Sequence, residues 1–303
     1  MIVEKQLNVP VMLFSVKGTV LPRIWPHVLL VALVAVGVTA TTGFWPGLLP
    51  EISLAPFSLI GLVLSIFLGF RNNACYERWW EGRKQWGQAI THCRALAREI
   101  PALLPGDRPR QSRILRRAAG FAAGLAARLR DRDESAALRP WLPDAEFESL
   151  AGLRNQPGMA LAGITHDLAE ASRAGALDPI KFQVLEAHVE GLSGVQAACE
   201  RINATPTPFS YSLLLHRTSW IFCLLAPFGL IGALGWFTPF FSVLLAYAFF
   251  GLDALGDELE APFGLMPNHL PLDAFVRAIE IEIRQALGEP APEPLAPVNG
   301  RLT

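Results

Sequence analysis

The side chains able to do covalent or metal chemistry in this sequence are few and scattered. Its six histidines and four cysteines (Cys75, Cys93, Cys199, Cys223) form no CxxC, HExxH or paired Cys/His spacing. That leaves neither a zinc site nor a disulfide framework to argue for. No phosphate-binding glycine loop or nucleophile motif is present, so the residues give no case for an enzyme or a cofactor. An acidic group of four, Asp253, Asp257, Glu258 and Glu260, stands in "DALGDELE". Asp253 and Asp257 stand one helical turn apart. They read either as a weak cation site or as a solvated or inter-subunit salt-bridge face.

A different chemistry is written in "LVLSIFLGF" (62–70), where Ser58, Leu62, Ile66 and Phe70 recur every four residues and share a helix face. Gly61, Ser65 and Gly69 repeat on the adjoining face. Large apolar residues facing lipid, with small ones at helix contacts, explain such a pattern on their own. The sharper reading places copies of the helix around an axis. The small faces then permit close approach, and the Leu/Ile/Phe faces line a narrow apolar constriction that admits or refuses ions by wetting.

The elements that must hold this stripe follow from composition. The 303 residues are 51% hydrophobic and only 17% charged, with net charge −1 and mean hydropathy +0.33. Soluble proteins carry about 25% charged residues, so the chain leans toward a membrane, and its charge gives no argument for nucleic acid. Stretches 24–50, 52–70 and 218–252 contain no Lys or Arg, and Glu51 and Asp253 lie just outside them. The first two suit one spanning helix each. The third is too long for one span and contains "GALGWFTPF", which predicts two short helices turning near Gly232, Gly235 and Pro239. The N-terminus has no basic-then-apolar leader pattern, so no removable signal peptide is expected.

Basic residues flank the apolar stretches on one side only: Lys17, Arg23, Arg71, Arg78, Arg83, Lys84, Arg201 and Arg217. The positive-inside rule then puts both termini and the central region in the cytoplasm. The expected organisation is a cytoplasmic segment 1–23, two spans with the neck in 24–70, and a helical cytoplasmic region 71–217. Two more spans follow in 218–252, then a cytoplasmic helical segment 253–288 and a disordered tail 289–303. The helix after Phe70 continues until Pro101 stops it. A second covers "RQSRILRRAAGFAAGLAARLRD", 132–146 is a loop with Asp144 capping a short helix, and another lies near 158–173. Asp178 caps the next, with Pro179 at its first position.

"FLGFRNNACYERWWEGRKQWG" (67–87) resembles the signature of the bestrophins in their bacterial branch, and "SYSLLLHRTSW" (210–220) and "AYAFFGLDALGDELEAPFGLMPNHLPL" (246–272) resemble two further blocks in the same order. The resemblance implies an all-α membrane protein with four transmembrane helices per subunit and a large helical cytoplasmic region. It also implies a homo-pentamer around one central pore lined by the second helix. Carried over, the hydrophobic neck falls on Leu62, Ile66 and Phe70, and a second, cytoplasmic constriction falls on Ile180. Ile180 is equally readable as a core-facing residue. Animal members follow their "PFG" with a calcium-binding acidic run. Here "APFG" (261–264) is followed by "LMPNHLPL", which offers calcium no carboxylate cage.

The implied activity is passive conduction of monovalent ions in the cell's inner membrane. Glu51 at the outer mouth and the bacterial branch point to Na⁺ or K⁺. The alternative is chloride, as in animal members, helped by the positive ring edge of Phe70. A coupled transporter would place ionisable groups inside the spans; the three stretches hold no Asp, Glu, Lys or Arg, and His27 is the lone titratable group of the first. A membrane-anchored interaction protein is the remaining class.

Overall fold

The computed structural model describes residues 1–2, 18–50, 52–150 and 152–303. Among them the backbone is helices and turns, with only isolated β-bridges. The helices are α1 (Leu21–Phe44), α2 (Leu54–Leu103), α3 (Arg108–Leu129), α4 (Glu134–Leu138), α5 (Asp144–Leu150), α6 (Gln156–Arg173), α7 (Pro179–Ala204), α8 (Phe209–Leu234), α9 (Thr238–Glu260) and α10 (Leu272–Leu287). They form two compact units.

One unit holds residues 5–79 and 206–261. Its apolar stretches, in Leu21–Phe44, Leu54–Leu103 and Phe209–Glu260, are long and apolar enough to cross a membrane. The third stretch reverses through a 3₁₀ turn at Gly235–Phe237, where Gly235 takes φ +52°. Gly232 stays inside α8, and Pro239 lies in the first turn of α9. Both helices run past the apolar residues at their other ends, so they are 26 and 23 residues long rather than short. Helix α1 packs along α9 and α8. Ile24 and Val31, Leu64 and Leu68, Leu215 and Phe222, and Ala246, Phe249 and Phe250 form the shared core.

The other unit holds residues 1–4, 80–205 and 262–303. Helix α3 sits at its centre against α6, α7 and α10. Its run of Ala and Gly lets neighbours close in: a Cβ at Gly120 would lie 3.1 Å from Trp141, and one at Gly124 3.1 Å from Leu138. Asp167 of α6 is buried and accepts from Arg113 (2.8 Å) and Arg117, while Arg117 also reaches Glu146 at 2.7 Å. A charge cluster of this kind survives burial because every member is partnered.

Several local expectations change. The helix does not stop at Pro101 but ends at Leu103, with Pro101 inside its last turn, where few carbonyls remain to be disrupted. The stretch read as a loop holds α4, capped by Asp133 through Ser135 N and Ala136 N, and a 3₁₀ turn at Arg139–Trp141. Asp144 is the first residue of α5 rather than its cap. Asp178 does cap α7, accepting from Ile180 N (3.0 Å) and Lys181 N (3.1 Å). Within 289–303, Arg301 bridges to Ile2 and Val298, and Ala274 N donates to Thr303 O at 2.9 Å.

Candidate pore helix and its anchors

Helix α2 buries Leu64, Leu68, Arg71 and Cys75. These recur at helical spacing and mark the side turned into its own unit. At about 100° per residue, Leu62, Ile66 and Phe70 lie roughly half a turn away. They are 59%, 48% and 64% exposed. The stripe therefore points away from the buried side of the helix, and Phe70 meets only the neighbouring ring of Phe67 on the same helix among the ring contacts of the described residues. Exposure alone does not single it out, because Val63 is 45% exposed. Val63 stands about 100° from Leu62 but only about 20° from Phe70, so it borders the stripe.

The small-residue stripe divides. A Cβ on Gly61 would stand 2.9 Å from the Phe222 ring of α8, so this glycine serves packing within the chain. Gly69 has nothing within 4 Å. Ser58 and Ser65 donate to Leu54 O (3.2 Å) and Gly61 O (2.7 Å), one turn back on their own helix. They offer no free donor to an ion.

Immediately after Phe70, Arg71 ties this helix to α9. Its Nη1 donates to Asp253 Oδ1 at 2.7 Å and to Asp253 O at 3.2 Å; its Nη2 donates to Asp257 Oδ1 at 2.6 Å and stands 3.5 Å from Glu260 Oε2. Gly256 makes this approach possible: a Cβ there would lie 2.7 Å from Asn72 Oδ1 and 3.1 Å from Arg71 Nη1. His216 Nδ1 of α8 lies 2.7 Å from Asp253 Oδ2, and Arg23 of α1 pairs with Asp257. Glu260 accepts from Thr207 N at 2.8 Å. Four helices thus meet in one charge network where the apolar stripe ends.

Asp253 and Asp257, read from the sequence as a weak cation site or as a solvated or inter-subunit salt-bridge face, form their ion pairs within the chain, with Arg71, Arg23 and His216. Among the described residues, no group of three or more His, Cys, Asp and Glu is placed to hold a metal ion. Tyr76 and Trp79 stack at 6.1 Å, and Arg78 Nε donates to Glu260 O at 3.2 Å. Glu51 and Lys17 lie outside the described residues. Ile180, in the first turn of α7, is 75% exposed, so it is not a core residue of its own subunit.

The segment after α9 is held by Arg130, which also pairs with Asp273 of α10 at 2.7 Å. Phe263 is buried, and Arg130 donates to Phe263 O (3.1 Å) and Leu270 O (3.2 Å). Met266 N donates to His269 Nδ1 at 3.2 Å. Burial pushes the His269 imidazole down to about 4. His92 and His188, ungrouped in the sequence, come together with Nδ1 atoms 3.2 Å apart.

The partnering of Arg71 with Asp253 and Asp257, and the histidine pair, go beyond the sequence expectations. The first had a signal: a lone arginine ending an apolar run, and acids at i and i+4 on another helix. The second had none.

A family model described as bacterial/fungal bestrophin protein matches residues 1–285. This chain belongs to the bestrophin family. Among its relatives, the voltage-dependent anion channel-forming protein of Mesorhizobium japonicum is 42% identical over 97% of this chain and 95% of its own length. Its Escherichia coli K12 counterpart is 39% identical over 94% and 93%. The bestrophin homologue of Klebsiella pneumoniae, a crystal structure, superposes with TM-score 0.84 at 34% identity, covering 88% of this chain and 99% of that one. The bestrophin assignment thus extends over the apolar helices and the helical unit alike.

Proposed function

We propose that this bestrophin is a passive channel for monovalent ions, assembled as a homo-pentamer in the cell's inner membrane. The observation that carries the reading is the placement of Leu62, Ile66 and Phe70. They share the α2 face opposite Leu64 and Leu68, so an exposed apolar face is free to line an axis. Four spans per subunit follow if α1, the first part of α2, α8 and α9 each cross. Charge at the cytoplasmic ends of these helices supports both termini lying inside. Ile180 then forms a second narrow point and Glu51 an outer acidic ring. Conduction, not catalysis, is the activity, and no cofactor enters it.

Charge preference has two readings. Glu51 at the outer mouth favours Na⁺ or K⁺. The names of the relatives, which describe anion channels, favour chloride, and the Phe70 ring edge suits an anion. Single-channel recording of purified protein in planar bilayers with a KCl gradient decides both questions. A current linear in driving force supports a channel, and the sign of its reversal potential assigns the ion. Saturable, coupled exchange would point to a transporter, and no flux at all to a scaffold.

A further inference from the structure

The contact between His92 on α2 and His188 on α7 is head-to-head. The ring centroids are 5.5 Å apart, longer than the 3.2 Å Nδ1 separation by about two ring radii. Both nitrogens therefore point along the line between the rings, which suits one shared hydrogen and aims neither lone pair at a common metal ion beside that line. On the far side of His188, Nε2 stands 3.1 Å from Glu99 Oε2. An ionised carboxylate only accepts, so His188 Nε2 carries a hydrogen. Neutral His188 then accepts at Nδ1, and His92 donates.

We propose that His92, His188 and Glu99 form a proton-operated clasp between α2 and α7, closed while the two rings share one hydrogen and released when both are charged.

The charged groups around the clasp set its behaviour. Glu99 stabilises the first added proton, and Arg98 holds its other oxygen at 2.6 Å. Arg94, two residues beyond His92, is turned to Glu282 of α10 at 2.8 Å. A second proton makes both Nδ1 atoms donors and sets two like charges face to face. Burial, with His188 adding to it, already holds His92 below the ordinary histidine range. A depressed histidine stabilises the closed form at pH above the ordinary value near 6.5, and that contribution disappears as pH falls through the lower one. Gly191 fixes the ring against α7, since a Cβ there would come within 2.4 Å of His92 Cε1 and Nε2. Ile180 lies eight residues before His188 on the same helix. Any effect of release on conduction rests on the role proposed for Ile180; the clasp itself does not.

Hydrogen–deuterium exchange on the full-length protein in nanodiscs, corrected for intrinsic pH dependence, tests it between about pH 7.5 and pH 5. Protection of amides in 181–192 should fall about tenfold on acidification, relative to α3. His92→Gln removes the second proton site and should abolish that fall. Glu99→Gln should move the midpoint to lower pH. No acid-induced loss in the unmodified protein, or the same loss in His92→Gln, overturns the clasp. If His92→Gln does not fold, an unmoved midpoint in Glu99→Gln overturns it instead. Ion flux from liposomes at the same pH values is read separately. Exchange that responds to pH while flux does not would leave the clasp standing and remove Ile180 as an aperture.

Discussion

Arg71 and Asp253 meet through two hydrogen bonds, one to the carboxylate at 2.7 Å and one to the main-chain oxygen at 3.2 Å. Their side chains are only 2% and 7% exposed. Such a pair is costly to break from one side, because the survivor keeps its charge without a partner. Arg71→Ala should destabilise the protein by about 3–5 kcal/mol, the range for halving a buried pair. Arg71→Ala with Asp253→Ala should lose less than the sum of the two single changes. Thermal unfolding in detergent measures both, and additive losses would mean the pair is not coupled.

At the neck, Ile66→Ala or Ile66→Ser should raise single-channel conductance, because a smaller or more polar ring wets more easily. Ile60→Ala is the control. Its side chain is as exposed as that of Ile66 but projects about 120° away from it. Ile66→Phe should shift permeability toward anions by presenting ring edges. Equal effects at Ile66 and Ile60 would place the stripe against lipid.

Two glycines separate folding from assembly. Gly256→Ala forces a Cβ against Asn72 and Arg71 and should cost about 1–3 kcal/mol of subunit stability, as overpacking does. A Cβ at Gly69 would meet nothing within 4 Å. Gly69→Leu should leave the fold intact and lower the fraction of the proposed pentamer in size-exclusion chromatography with light scattering. A pentamer with unchanged conductance would move Gly69 from the subunit contact to the lipid face.

Acid should loosen the turn after α9 through His269. Its Nδ1 accepts from Met266 N, and burial holds the ring down to about 4. A folded value below the unfolded one near 6.5 adds stability that is complete above that pH and is lost as pH falls toward about 4. A smaller acid-induced drop in melting temperature for His269→Gln than for the unmodified protein checks the assignment. Identical drops would place the acid sensitivity elsewhere.

Much of this architecture is local and therefore legible in order along the chain. Apolar runs mark the helices that suit a membrane because length and transfer energy are properties of a segment. The Asp178–Pro179 start of α7 is likewise a matter of adjacent residues. The four-residue period in 58–70 located a face, and the signature in 67–87 pointed to the family. What the period could not tell is where that face points, since lipid, core and an apolar neck all accept the same side chains. Packing excluded the core, by burying Leu64 and Leu68 on the other side of α2; lipid and an axis both fit the exposed face. Packing also brought Arg71 to Asp253 across 182 residues and His92 to His188 across 96. Charge partners so far apart leave no spacing to read, because their meeting is set by how helices stack and by the room that Gly256 and Gly191 leave between them.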